Sequence, residues 1–197
     1  MESTLAAVLI PLLMGCGSVD ESRGLVGSGS QLVRVNEFAP ANNYTFRDPD
    51  APTEYDDWIE LYNASEHVAN LDGYYITDDP DHPFKHMLPP EAVIAPKGFL
   101  VLLADNQPGQ GPLHLSFALS RSGEAVYLAA PNGNLVDGTA FDSTVAVPPC
   151  TSPSGQCDFV YARYPDGSGP FRWCGANGVT PGKSNGSACI DPPVPLP

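Results

Sequence analysis

The chain has 197 residues, with 23 acidic side chains against 9 basic ones and a formal net charge of −14. So few, scattered Lys and Arg cannot displace counterions from phosphate, and the acidic surface repels polyanions, which sets nucleic acid aside as a partner. The residues are 42% hydrophobic with 22 Pro and 19 Gly, a composition suited to a turn-rich β domain large enough to bury its own core.

The chain opens with an apolar run, Leu5 to Met14. It is too short to span a bilayer as a helix, which takes about 20 residues, but it fits the apolar region of an export signal. The run leads into Leu13-Met14-Gly15-Cys16. This resembles a lipobox, with Leu at −3, a small residue at −1 and then the thiol that accepts diacylglycerol. Met14 at −2 and the acidic Glu2 in place of an early Lys or Arg depart from the usual pattern. Residues 1–15 are therefore expected to be a lipoprotein signal peptide, and Cys16 the lipidated residue. The polar, Gly/Ser-rich segment 16–31 reads as a flexible tether. That places the protein in the cell envelope, lipid-anchored at the outer membrane or cell surface, or secreted if Cys16 is not acylated.

Short apolar runs between turn signals then predict strands. They are Leu32–Phe38, Trp58–Tyr62, Tyr74–Thr77, His86–Leu88, Phe99–Ala104, Leu113–Leu119, Ala125–Ala129, Leu135–Phe141 and Phe159–Tyr164. Ile59 and Leu61 alternate with Trp58, Glu60 and Tyr62, so the two sets face opposite sides. Leu113, Leu115, Phe117 and Leu119 alternate strictly and are expected to face inward. Asn132-Gly133 between two apolar runs marks a hairpin. No long stretch has a helical period. Eight or nine short strands imply an all-β, immunoglobulin-like β-sandwich.

The order of motifs is more specific than any one of them. Val35-Asn36-Glu37 precedes Asp57-Trp58-Ile59-Glu60-Leu61-Tyr62-Asn63, Leu71-Asp72-Gly73-Tyr74 and Thr77-Asp78-Asp79-Pro80. Ile94-Ala95-Pro96-Lys97-Gly98-Phe99-Leu100-Val101 follows, then Phe117-Ala118-Leu119-Ser120, Gly123-Glu124 and Asn134-Leu135-Val136-Asp137. The series closes with Tyr161 to Gly169 (YARYPDGSG) and Thr180-Pro181-Gly182-Lys183-Ser184-Asn185. From about residue 32 to 185 it resembles the bacterial lamin tail domain. The resemblance implies an immunoglobulin-like sandwich that serves attachment or binding and has no shared catalytic residues. Residues 186–197 form a Pro-rich tail.

Four cysteines remain after Cys16: Cys150, Cys157, Cys174 and Cys189. In an exported chain an even number suggests disulfides. Three pairings are possible; Cys150–Cys157 and Cys174–Cys189 are expected because each closes a short, turn-rich loop. Close pairs such as C-x-x-C are absent, which argues against zinc.

Three patterns invite a chemical reading. The carboxylates Asp48, Asp50, Glu54, Asp56 and Asp57 are dense, but their Pro-containing loop reads as solvated rather than as an acid/base pair. Asp78, Asp79 and Asp81 precede His82, with His86 beyond, and could hold calcium, weighed against an ordinary Asx turn. Ser116, Ser120 and Ser122 lie near His114 in sequence without a nucleophile elbow. Glu37 and Glu60 sit in predicted strands; burial would raise a carboxyl pKa, with hydrogen bonds to Arg34, Arg163 or backbone as the plainer fate. Tyr55, Trp58, Tyr62, Tyr74, Tyr75, Phe171 and Trp173 could stack on a sugar, although core packing accounts for most of them. The expectation is a non-enzymatic surface lipoprotein without a cofactor, other than possible calcium. It would meet the membrane through its lipid and an extracellular protein or polysaccharide through its domain. A calcium-stabilised adhesion module and a secreted hydrolase are the alternatives.

Overall fold

The computed structural model describes residues 30, 32–141, 154, 157–175 and 178–185. Its strands are β1 (Val33–Ala39), β2 (Trp58–Asn63), β3 (Ala69–Asn70), β4 (Tyr75–Thr77), β5 (His86–Met87) and β6 (Val93–Ile94). They continue as β7 (Phe99–Leu103), β8 (Glu124–Ala129), β9 (Leu135–Phe141), β10 (Val160–Arg163) and β11 (Phe171–Cys174). A five-stranded sheet runs β11-β10-β1-β2-β7, and a four-stranded sheet runs β5-β4-β8-β9; β3 and β6 form a small third pair. The named ladders are antiparallel. This is the expected all-β, immunoglobulin-like sandwich.

Alternation along the strands builds the core. Val33, Val35, Ile59, Leu61 and Leu102 from the larger sheet meet Ile76, Val126, Leu128 and Phe141 from the smaller one. Phe38 and Phe141 stack at 5.9 Å, and Tyr161, Phe171 and Trp173 pack around them. The larger sheet is also covered on its other face. There Ala39, Trp58, Leu103, Val160, Ala162 and Cys174 are buried with Phe46 and Val179 from neighbouring loops. Both alternating sets of β2 are therefore buried, and Glu60 is 0% exposed like its neighbours.

Two expectations about strands change. Leu113–Leu119 is not a strand; it makes only the isolated bridges Leu103↔His114 and Asp105↔Ala118. Its inward set is right nonetheless, since Leu115 and Phe117 are buried and Leu113 and Leu119 pack on the core. The hydrophobic alternation is satisfied by a segment laid along the sheet end, without a continuous ladder. β11 was not expected from its sequence, Phe-Arg-Trp-Cys, which has a single Arg between aromatics. Pairing to β10 through Tyr161↔Trp173 fixes it.

Candidate functional site

The first polar cluster is built around β1: Asn36, Glu37 and Glu60 lie on the covered outer face of the five-stranded sheet, and Arg163 joins β1 to Asp137 on β9 of the other sheet. A register shift between Val35 and Glu37 in the β1–β2 ladder is a bulge, which frees backbone groups and re-aims side chains. Asp137 Oδ2 accepts from Val35 N at 2.9 Å, and Arg163 Nε donates to Val35 O at 2.9 Å. Arg163 and Asp137 also pair directly at 3.1 Å, while Arg163 reaches Gly169 O and stacks on Phe171. One guanidinium fork thus ties the bulge, β9 and the loop after β10 together.

The bulge lets Asn36 and Glu37 both reach the same face as Glu60. Asn36 Nδ2 donates to Glu60 Oε1 and to Asp166 Oδ1, each at 3.0 Å, and Asn36 Oδ1 accepts from Gly167 N at 2.9 Å. Gly182 N donates to Glu60 Oε2 at 2.6 Å. Gly167 and Gly182 have φ of 65° and 78°, which glycine adopts without a Cβ penalty. Glu37 receives Thr180 N at 3.0 Å. Asn185 Nδ2 donates to Arg163 O at 2.7 Å and Asn36 O at 3.3 Å. Burial pushes Glu37 up to about 8 and Glu60 up to about 9, with the Glu37 charge adding to the rise at Glu60. Among the described residues the partners of the two glutamates are backbone donors, joined by Asn36 and Thr180.

The second cluster sits where β2 begins and β7 ends, at one end of their ladder. Ala104 N donates to Asp57 O at 2.7 Å just beyond the Trp58↔Leu103 pair. This brings Asp56 beside Asp105. The loop before β2 folds back over them: Asp158 accepts from the N–H groups of Asn43, Tyr44 and Thr45 at 2.7–2.9 Å, and Asn42 Nδ2 donates to Asp56 O at 2.9 Å. His114 closes the group from the far side. Its Nδ1 lies 2.6 Å from Asp105 Oδ2, and its Nε2 lies 3.2 Å from Asp50 Oδ2 and 3.9 Å from Asp48 Oδ1. Burial works against the charged imidazolium, but the carboxylates outweigh it and raise the His114 pKa. Burial raises Asp56 as well, aided by Asp105, Asp48 and Glu54 and opposed by His114. Asp57 is pushed up to about 7 by burial.

Sequence reasoning treated this loop as solvated, and for Asp48 that is corrected: the residue is 1% exposed. The signal that could have found it was not local, since His114 lies 64 positions from Asp50.

The third cluster is the acidic turn after β4. Asp78 pairs with Lys85. Asp79 Oδ1 accepts from Asp81 N at 3.0 Å, and Asp79 Oδ2 lies 2.7 Å from His82 Nδ1. Those contacts hold the Asp79 pKa below its ordinary value. Thr77 Oγ meets the carbonyls of Asp79 and His82 at 2.9 and 3.0 Å. Two groups of at least three possible metal-ligating side chains converge within 4.8 Å among the described residues: Asp48, Asp50, His114, and Asp48, Asp56, Asp105. Asp78, Asp79 and Asp81 belong to neither. Beside the turn, Asp79, Asp81, His82, Pro83, Phe84 and Lys85 line an open depression of about 540 Å³, with Phe84 and Met87 more than half exposed.

Ser116 meets His86, not His114: its N–H donates to His86 Nδ1 at 3.1 Å, and its hydroxyl lies 3.2 Å away. Cys174 is buried in β11 and Cys157 precedes β10. Cys16, Cys150 and Cys189 lie outside the described residues. Among the described residues no helix is long and apolar enough to cross a membrane.

A family model, the Lamin Tail Domain, matches residues 28–142. No curated protein matches the chain.

Proposed function

The chain belongs to the lamin tail domain family, whose model covers more than half of it, and from that premise we propose that it is a non-catalytic binding or structural module held at the cell envelope by lipid on Cys16. One observation carries the non-catalytic reading. The polar residues of its motifs are consumed in holding the sandwich together: Asn36, Glu37 and Glu60 by the outer-face network, and Arg163 and Asp137 by the bulge. A catalytic acid, base or nucleophile needs a reacting atom within hydrogen-bond reach, and these atoms are already engaged with the protein's own backbone and side chains.

The anchor rests on the Leu13-Met14-Gly15-Cys16 sequence and the polar tether behind it. An even number of cysteines after Cys16 fits an oxidising location, and Cys150–Cys157 and Cys174–Cys189 are the pairings we expect. The domain would meet an extracellular protein or polysaccharide.

Fractionation of cells expressing wild type and Cys16→Ser tests the anchor. Wild type is expected in the membrane fraction and the variant in the soluble fraction, with a mass lower by the lipid. An unchanged distribution and mass would remove the anchor. Turnover of an ester, phosphodiester, glycoside or peptide substrate, abolished by a single carboxylate or histidine substitution, would overturn the non-catalytic reading.

A further inference from the structure

We propose that Asp48, Asp56 and Asp105 form a binding site for one hard divalent cation of the calcium type, at the end of the β2–β7 ladder. The site is independent of the lipid anchor and distinct from the turn at Asp78, Asp79 and Asp81.

The first observation is convergence. The three carboxylates each offer an oxygen, and these oxygens lie within 4.8 Å of one another. The ladder end fixes Asp56 and Asp105, and the folded-back loop brings in Asp48. The second observation is independent of proximity. Asp48 is 1% exposed, and its Oδ2 has no hydrogen-bond partner, while its Oδ1 accepts from Asp50 N at 2.7 Å. Asp56 Oδ2 is also buried and unpartnered, as is Gln110 Oε1 in the loop that leads from Asp105 to His114. An ionised oxygen buried without a donor costs several kcal/mol, so the fold must supply something positive there.

Charge decides between a cation and further donors. Three carboxylates converge, Asp50 makes a fourth nearby, and among the described residues the side chain that pairs with this set is His114. His114 cannot balance that set, because its two nitrogens are spent on Asp105 and Asp50. The donor chemistry selects the ion. Carboxylate and amide oxygens with water suit calcium, which takes six to eight oxygens in a flexible geometry. Zinc prefers nitrogen and sulfur in a tetrahedron, and the Asp48, Asp56 and Asp105 set offers it neither. Asp105 Oδ1 is already oriented by Gln107 N at 2.8 Å, the kind of outer hydrogen bond that positions a ligating carboxylate.

The test uses the purified full-length chain, stripped with chelator and then titrated with calcium, magnesium or zinc by calorimetry and thermal melting. Calcium is expected to bind at one per chain and to raise the melting midpoint by roughly 5 °C or more at about a hundred times its Kd. Asp48→Asn and Asp56→Asn should each weaken binding by about tenfold or more, and Asp79→Asn should leave it unchanged. Asp56 is only partly buried, so its variant keeps the test open if Asp48→Asn does not fold. Equal midpoints in chelator and calcium would overturn the site. Calcium binding lost in Asp79→Asn but kept in Asp56→Asn would move it to the β4 turn. Zinc binding lost in His114→Gln and kept in Asp56→Asn would replace it with a histidine site.

Discussion

Glu37 and Glu60 are as inaccessible as Asp48, yet the two regions treat a buried carboxylate differently. On the outer face both oxygens of each glutamate have a partner, drawn from Asn36, Thr180 and Gly182. At the ladder end Asp48 Oδ2 and Asp56 Oδ2 have none. Among the described residues no Lys or Arg pairs with Glu37, Glu60, Asp48 or Asp56; the one guanidinium of the outer-face region, Arg163, is paired with Asp137. The outer face meets the cost of burial with hydrogen bonds and raised pKa values, so its charge can be surrendered to a proton. At the ladder end four carboxylates share one imidazole, and protonating Asp56 alone leaves the rest. A polar network that is complete contributes rigidity; one that is incomplete marks a place where the fold expects a partner.

The largest effect should come from breaking the complete side at its guanidinium. Arg163→Ala removes the donors to Val35 O and Gly169 O and strands Asp137 beside the bulge. Loss of one partner from a mostly buried pair costs about 3 kcal/mol, and urea unfolding would measure it. Arg163→Lys should recover only part, since an ammonium cannot span three acceptors and stack on Phe171 as the planar fork does. A loss below about 0.5 kcal/mol, the range of ordinary surface substitutions, would mean the bulge holds without its clamp.

The next effect is the pH dependence that the buried glutamate pair contributes. Below about 4.5 the glutamates are protonated in both folded and unfolded chains. Between that value and about 8 to 9 the unfolded chain releases protons while the folded chain retains them. The folded state then binds more protons, so stability falls as pH rises through this window and levels off above it. Denaturant midpoints from pH 5 to 9, in chelator and at constant salt, would record the fall. Stability that rises with pH across that window would show the pair folds ionised.

Much of this architecture was legible because strands advertise themselves by local alternation. β1, β2, β7, β8 and β9 were all visible as apolar runs bounded by turns. β3 and β6 were not, being two-residue pairs too short to carry a period. Burial of Leu115 and Phe117 could be read from alternation, but the absence of a continuous ladder could not, because it depends on what the backbone meets. The glutamates were suspected as buried, while their partners, 122 and 143 positions away, were not. Asp48 shows the limit most clearly: its loop has the composition of a solvated segment, yet the residue is 1% exposed, with His114 from 66 positions away beside it.

The smallest expected effect is also the most discriminating, and it turns on one proton. Thr180 Oγ lies 2.9 Å from Glu37 Oε2 and 2.8 Å from Asn185 Oδ1. A hydroxyl has a single proton to donate, so one of these two oxygens must bring its own. The Asn185 amide is oriented by its Nδ2 bonds to Arg163 O and Asn36 O, which leaves Oδ1 as an acceptor. Thr180 therefore donates to Asn185, and a protonated Glu37 Oε2 donates to Thr180, in agreement with the raised pKa of Glu37. Glu37→Gln preserves this arrangement: its carbonyl accepts from Thr180 N and its amide donates to Thr180 Oγ. It should change stability at neutral pH by no more than about 0.5 kcal/mol and should reduce the decline between pH 5 and 9. Thr180→Val is the contrasting change. It leaves Asn185 Oδ1 and the Glu37 proton without partners, at about 1–3 kcal/mol. If Glu37→Gln proved as damaging as Thr180→Val, Glu37 would be a buried anion, and the two regions would differ in donor supply alone.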